Sequence, residues 1–316
     1  MQMTQRQFER AFATGEQIKT YLRDLRWPDG KVTCPRCAGS DKVYKISRPW
    51  TWLCKAKRED HGKSGYRFSI LIGTVFENTN VPLLTWFKVM YAMMQSKKGI
   101  SALQVSRMIG KQQLGKGRHK GSDEGKGSYR TAWYMCQRIR SATQSDEIGK
   151  LGGIVEIDET YVGGKNKNRH AWKRRQLRMT DDCAGKVGLI GAIARKGNVI
   201  TLVVDQMDRA SMERFVRQPI ADDVSLVASD EQTTYPFIFA AQKMPHESVR
   251  HSDGEYERGE VHTANLDAFW SLLKRGVIGT YHQVSKKYLP LYVNEFAFRH
   301  HHRKDPEVFR ALCAGG

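Results

Sequence analysis

Apolar residues recur at helical spacing in several stretches of the first half of the chain. These stretches predict helices over 4–26, 83–97 and about 129–142, and Ser101 is placed to cap a further helix between the last two. Residues 31–78 differ, because they contain short β-like pieces separated by turn residues. The Gly- and Lys-rich stretch that precedes the last helix has almost no apolar residue and predicts an exposed flexible loop over 111–127.

The pattern changes after a group of glycines near residue 150. Four β-branched runs bounded by turn residues predict strands in GIVEID, KVGLIGAI, NVITLVV and VSLVAS. Helices are predicted in MERFVRQPI and in the stretch that begins near Ala264. Strands combined with helices in this way indicate an α/β or α+β domain in the second half of the chain.

Charge divides the chain in a similar way. Lys and Arg outnumber Asp and Glu by 52 to 33, a net charge of +19. Residues 1–150 carry 28 basic and 12 acidic side chains, whereas residues 151–316 carry 24 and 21. A basic module joined to a nearly neutral one is typical of a nucleic-acid-binding protein with a second functional part, and charge that serves only solubility is the alternative.

The composition excludes other classes of protein. Hydrophobic residues make up 40% of the chain, which rules out wholesale disorder. No apolar run reaches the ~20 residues of a membrane helix, and the first residues lack the apolar stretch of a signal peptide. We therefore expect a cytoplasmic protein.

Cysteine spacing predicts a metal site within residues 31–80. Cys34 and Cys37 form a CPRC knuckle, Cys54 follows after 16 intervening residues, and His61 follows after 6 more. Three thiolates and one imidazole complete the tetrahedral coordination of a structural Zn²⁺, which would supply folding energy that such short strands lack. The alternative is a set of three buried thiols with an unrelated histidine.

The helices between residues 81 and 148 have the size of a helix-turn-helix unit. The last of them carries Arg130, Arg138 and Arg140. A helix of this kind can lie in a DNA groove with arginines at phosphates or guanine, so we predict that these three residues bind DNA. An ordinary three-helix packing element with a solvated basic face is the alternative.

Three carboxylates in the second half suggest catalytic chemistry. Asp158 and Asp230 each lie at the end of an apolar strand, where a buried acid is costly unless it serves a purpose. Asp267 shares one helix face with Trp270 and Lys274. Three oxygen ligands that leave water-filled positions suit Mg²⁺ or Mn²⁺. A pair of such ions supports phosphodiester chemistry, and Lys274 could hold a phosphate near them. The alternative is that each aspartate is a helix cap or a turn residue.

Together these motifs resemble a DDE transposase of a bacterial insertion sequence with an N-terminal zinc ribbon, of the ISXO type. The stretches that carry the resemblance are CPRC, YRFSILIGTVFENT, KKGISALQVSRMIG, YRTAWYMCQRIR, IDETYVGGK, ASDEQTTY, HTANLDAFWSLLKRGVIGTYHQVSKKYLPLY and NEFAFRH. The resemblance implies that Asp158, Asp230 and Asp267 are the catalytic acids and that Lys274 is the family's basic residue. Asp267 stands where the family usually has Glu, and Asn265 is a neighbouring alternative ligand.

The resemblance also implies a multidomain architecture. We predict an N-terminal helix in 1–30, a zinc ribbon in 31–80, a helical DNA-binding segment in 81–148, and an α/β ribonuclease H-like catalytic domain in 149–316. The catalytic domain is expected to contain a mixed sheet flanked by helices.

The implied activity is Mg²⁺- or Mn²⁺-dependent DNA strand cleavage and strand transfer. A freed 3′-OH would attack target DNA by transesterification, with no covalent enzyme intermediate. The ribbon and the helical segment would recognise the terminal inverted repeats, and at least a homodimer on DNA is implied. A basic run follows the first acid and would hold flanking or target DNA; the alternative is a solvated charged loop. The run comprises Lys165, Lys167, Arg169, Lys173, Arg174 and Arg175.

Two other functions remain open from the sequence. The first is a decayed or captured transposase that binds DNA without cutting it, an alternative that the shorter acid at Asp267 keeps open. The second is a ribonuclease H-like nuclease without strand transfer.

Overall fold

The chain folds into two compact units in a computed structural model that describes residues 3–110, 128–144, 149–164, 170–172, 175 and 185–314. The first unit comprises Met1–Thr143 with Lys304–Gly316, and the second comprises Gln144–Arg303. The loop predicted over 111–127 lies outside the described residues. None of the helices in the described part of the chain combines the length and the apolar character that crossing a bilayer requires.

A small antiparallel sheet forms the ribbon of the first unit. Its strands follow the order β1-β2-β3, and they are β1 (Val43–Lys45), β2 (Thr51–Cys54) and β3 (Tyr66–Ser69). Aromatic rings supply most of its packing: the ring centroid of Trp52 lies 5.2 Å from that of Trp27 and 6.0 Å from that of Phe68. With strands of three or four residues, the sheet buries few side chains.

The described residues before the second unit form five α-helices: α1 (Gln5–Ala11), α2 (Gly15–Arg26), α3 (Leu83–Gln95), α4 (Ala102–Ile109) and α5 (Tyr129–Ser141). The single helix predicted over 4–26 is in fact two helices, because Thr14 begins α2 with a reciprocal cap. Its hydroxyl accepts a hydrogen bond from the backbone N–H of Gln17 at 3.3 Å, and the Gln17 side chain accepts one from the backbone N–H of Thr14 at 2.9 Å. The other three helices lie where the apolar pattern predicts them.

A five-stranded mixed sheet is the centre of the second unit. Its order is β6-β5-β4-β7-β8, and the strands are β4 (Ile154–Val162), β5 (Val187–Ala194), β6 (Val199–Val204), β7 (Leu226–Ser229) and β8 (His246–Ser248). Strand β5 is antiparallel to β4 and β6, whereas β7 is parallel to β4 and β8.

Helices cover both faces of this sheet. They are α6 (Arg209–Val216), α7 (Thr234–Gln242), α8 (Ala264–Gly276) and α9 (Leu289–His301). One buried cluster joins the sheet to α6 and α7 through residues such as Phe215 and Ile238. A second cluster joins it to α8 and α9 through residues such as Trp270 and Phe296. The predicted mixed sheet flanked by helices is therefore confirmed.

The chain then returns to the first unit. Its last helix, α10 (Val308–Ala314), inserts Phe309 among aromatic rings, with ring centroids 5.7 Å from Phe8, 5.5 Å from Phe12 and 5.4 Å from Phe87. Residues from Lys304 onward therefore pack with the N-terminal unit, although the sequence analysis assigned them to the catalytic domain.

Candidate active site and metal centre

The four side chains predicted to bind zinc come together in the ribbon. The candidate ligand atoms of Cys34, Cys37, Cys54 and His61 all lie within 4.8 Å of one another. His61 Nε2 is 3.5 Å from Cys34 Sγ, and the sulfur atoms of Cys37 and Cys54 are 3.8 Å apart. Three elements supply them: the turn before β1, the end of β2, and a 3₁₀ turn over Glu59–His61.

The surroundings of these side chains fit a metal ion. His61 Nδ1 lies 2.7 Å from a carboxylate oxygen of Asp60, which directs Nε2 toward the sulfur atoms, as in most metal-binding histidines. The backbone N–H of Gly39 lowers the pKa of Cys37 to about 7, while burial raises the pKa of Cys54 to about 11. A set of three thiols and one imidazole with no open position is the donor set of a structural Zn²⁺.

A second cluster lies at one end of the mixed sheet. Strand β7 runs parallel to β4 and pairs with it only as far as Glu156 opposite Ala228, so Asp230 emerges from the end of β7 beside the middle of β4. The carboxylate oxygens of Asp158, Glu159 and Asp230 all lie within 4.8 Å of one another. Asp158 and Asp230 are thus neighbours. Only Asp230 follows the end of its strand as predicted, whereas Asp158 lies in the middle of β4, because the strand continues to Val162.

Glu159 is a member of this cluster that the sequence analysis missed. The Tyr235 hydroxyl donates a hydrogen bond to it at 2.7 Å and the Gln232 side-chain amide donates another at 3.0 Å. The backbone N–H of Gln232 also donates to Asp230, at 3.1 Å. Because neighbouring residues of a strand point to opposite faces, the strand pattern does not predict that Glu159 joins Asp158 in one cluster. The only sequence signal for Glu159 is that it follows Asp158 in the chain.

Electrostatic repulsion within the cluster is strong. Burial raises the pKa of Asp158 to about 8, and the negative charges of Asp230, Glu159 and Asp267 add to this effect. Burial also raises the pKa of Glu159. Buried carboxylates this close need a proton or a cation between them. Their oxygen donors fit Mg²⁺ or Mn²⁺.

Asp267 and Lys274 lie on α8 and line a cleft that is also lined by Asp158 and Glu159. The cleft has a volume of about 490 Å³ and is lined by Asp158, Glu159, Thr160, Asp267, Trp270, Ser271, Lys274, Arg275 and Ile278. Among the described residues, the close group of carboxylates does not include Asp267, whose Oδ2 accepts a hydrogen bond from the Thr263 hydroxyl at 3.1 Å. Asn265, the alternative ligand, donates its side-chain N–H to Glu156 instead.

Gly191 brings α8 close to the sheet. It is the β5 partner of Asp158, and a Cβ atom at this position would lie 2.5 Å from Cζ2 of Trp270. A larger residue would therefore push the helix that carries Asp267 away from the strand that carries Asp158. This role could not be predicted from the sequence, because it depends on a contact between distant elements.

The arginines predicted to bind DNA have different environments. Arg138 donates hydrogen bonds to the backbone carbonyls of Glu77 at 2.9 Å and Thr74 at 3.2 Å. Arg140 is 1% exposed. Arg140 is therefore buried and Arg138 is half-buried, which leaves little of either side chain for DNA, whereas Arg130 is exposed. Binding of DNA by these three residues stays a prediction.

The basic run after the first acid is only partly described. Arg175 is exposed. The other predicted DNA-binding residues of the run lie outside the described residues: Lys165, Lys167, Arg169, Lys173 and Arg174.

Comparison with known proteins gives two family matches and one relative. A family model described as an ISXO2-like transposase domain matches residues 150–301, which include every carboxylate of the cleft. A model described as a transposase zinc-ribbon domain matches residues 13–56, which include the three cysteines of the metal centre. A protein of Halobacterium salinarum, described as an uncharacterized protein in transposable element ISH50, is 26% identical over 313 residues, covering 95% of this chain and 94% of that protein. The resemblance drawn from the motifs is confirmed.

Proposed function

Because the chain belongs to the insertion-sequence transposases that join a zinc ribbon to an ISXO2-like transposase domain, we propose that it cuts DNA at the ends of its element and joins the freed 3′-OH to target DNA. The observation that carries the proposal is the close group of Asp158, Glu159 and Asp230, of which Asp158 and Glu159 line a cleft that is also lined by Lys274. Carboxylates grouped beside a basic residue suit phosphodiester chemistry that depends on a divalent metal.

We assign each of these residues a separate role in the reaction. Asp158 and Asp230, together with Asp267 from α8, would hold Mg²⁺ or Mn²⁺. The bound metal would activate the attacking oxygen and stabilise the leaving oxygen. Tyr235 keeps Glu159 turned toward the other acids by its hydrogen bond of 2.7 Å. Lys274 is placed to attract a phosphate oxygen into the cleft.

The first unit would bind the ends of the element. A structural Zn²⁺ held by Cys34, Cys37, Cys54 and His61 would stabilise the ribbon. The ribbon's exposed side chains are predominantly basic and would contact phosphates: Lys42, Lys45, Arg48, Lys55, Lys57, Arg58, Lys63 and Arg67. Arg130 and Arg175 are exposed candidates for further contacts. Because two ends must be joined together, we propose at least a homodimer on DNA.

A strand-cleavage and joining assay tests the activity. The full chain is incubated with DNA that carries the element's ends, in Mg²⁺ and in Mn²⁺, and the products are resolved on a denaturing gel. We expect 3′-end nicks and joined products that need the metal and disappear in Asp230→Ala. Nicking that persists at full rate in Asp230→Ala would refute the assignment of the site.

A decayed transposase that only binds DNA is the second candidate. It is favoured by one observation, the position of Asp267 outside the close group of carboxylates. This candidate predicts specific binding to the ends without cleavage in either metal. Cleavage would then appear in Asp267→Glu, because the added methylene brings the carboxylate closer to Asp158 and Asp230.

A further inference from the structure

Glu156 is a buried acid for which the reaction proposed above has no role. It lies on β4 two residues before Asp158, so the two side chains project from the same face of the strand. Glu156 has 0% exposure and is not among the residues that line the cleft. A carboxylate removed completely from water requires strong hydrogen-bond donors.

Those donors come mainly from the first turn of α8. Glu156 Oε2 accepts hydrogen bonds from the backbone N–H groups of Asn265 at 2.9 Å and Leu266 at 3.1 Å. Its Oε1 accepts one from the Asn265 side chain at 2.7 Å and one from Arg195 Nε at 3.2 Å. The acid therefore joins the central strand directly to the start of the helix that carries Asp267.

The residue that precedes α8 does not cap it, although His262 Nδ1 accepts a hydrogen bond from the backbone N–H of Ala264 at 3.3 Å. Backbone N–H groups in the first turn of a helix usually bond to the side chain of the residue that precedes the helix. That residue is Thr263, whose side chain makes no capping hydrogen bond and donates to Asp267 instead. Glu156 thus caps the next two N–H groups of the helix, those of Asn265 and Leu266, from β4, and the helix charge at this end favours the carboxylate.

We propose that Glu156 is a positioning residue, which caps α8 from β4 and thereby holds Asp267 at the distance from Asp158 that metal binding requires. The inference rests on the proposed metal-dependent function. Asp267 has a short side chain and stands outside the close group of acids, so it depends on the placement of its helix. Loss of residues that support metal ligands typically costs about 10–100-fold in metal affinity or activity.

The test measures Mn²⁺ affinity directly in the full chain with its zinc retained, using the electron paramagnetic resonance signal of free Mn²⁺. We expect Glu156→Gln to weaken Mn²⁺ binding by about tenfold or more. An amide oxygen that accepts from the two backbone N–H groups leaves the amide NH₂ facing the Asn265 side chain and Arg195 Nε, which are themselves donors, and the negative charge at the start of α8 is lost. Glu295→Gln is the matched control. Glu295 is also 0% exposed and pairs with an arginine, Arg299, but it lies on α9 away from the cleft. We expect the control to stay within about twofold, because the two sites are independent.

A double-mutant cycle separates positioning from general destabilisation. If Glu156 acts through Asp267, then Glu156→Gln in an Asp267→Ala background weakens Mn²⁺ binding no further. Full additivity of the two changes, or wild-type affinity in Glu156→Gln, would overturn the inference. Asn265→Ala removes one donor to Glu156 and is the milder variant if Glu156→Gln does not fold; unchanged affinity there would also count against the inference. A different result would refute the proposed function. In that case the wild-type protein shows no Mn²⁺ binding that is lost in Asp230→Ala.

Discussion

Asp158 is the acid whose ionisation the fold opposes most clearly. It is 9% exposed and faces the charges of Asp230, Glu159 and Asp267. Burial and these charges raise its pKa from an ordinary value of 3.8 to about 8. Without a bound metal, the folded protein therefore keeps a proton on Asp158 through a pH range in which the unfolded chain has lost it.

This difference predicts how stability depends on pH. The stabilisation from the proton on Asp158 is complete below about pH 4 and is lost as the pH rises to about 8, because the folded pKa is the higher one. Relative to Asp158→Asn, we expect the wild-type free energy of unfolding to fall by at least about 1 kcal/mol between pH 5 and pH 8. Urea unfolding without Mg²⁺ or Mn²⁺ measures it. Parallel pH profiles of the two proteins would contradict the prediction.

We expect the stability of the zinc ribbon to depend on metal. Its strands have three or four residues, and its buried aromatic rings are few. Such a small sheet does not offset its conformational entropy by burial alone, so we expect metal binding and folding to be coupled.

We therefore expect one Zn²⁺ per chain, measured by atomic emission on the purified protein. Cys54→Ser should lower the zinc content well below one per chain and weaken the near-UV circular dichroism of the ribbon tryptophans. Cys136→Ser is the control, because Cys136 is also fully buried but lies on α5 outside the metal centre. Equal zinc loss in both variants, or full zinc content in Cys54→Ser, would contradict the assignment of the centre.

The features that could be predicted are those set by residues close together in the chain. The CPRC knuckle, the β-branched runs and the position of Asp230 after a strand all follow from the local sequence, whereas the continuation of β4 beyond Asp158 does not. The roles of Glu156 and Gly191 could not be predicted, because they depend on contacts with α8, whose start lies more than seventy residues further along the chain. Arg138 and Arg140 illustrate the same limit: the sequence shows a basic helix, but not that backbone carbonyls of another segment accept hydrogen bonds from Arg138.

The path of the whole chain adds a feature that no single element reveals. The chain leaves the first unit near Thr143, completes the second unit, and returns to the first unit at Lys304. The helix pattern of α10 predicts a buried apolar face, but it does not show which unit buries it. The aromatic side chains of α1 and α3 decide this, because Phe309 packs against Phe8 and Phe87.

The returning helix should therefore stabilise the N-terminal unit. Phe309 is 5% exposed, and Phe309→Ala would leave a cavity among aromatic rings at a cost of about 3–5 kcal/mol. Pulse proteolysis in urea, with the cleavage sites mapped by mass spectrometry, should show lost protection in α1, α2 and α3. Phe237→Ala is the control at less than about 0.5 kcal/mol, because Phe237 is 64% exposed. If Phe309→Ala were as stable as this control, or if the new cleavage sites fell only between Gln144 and Arg303, α10 would not be part of the first unit in solution.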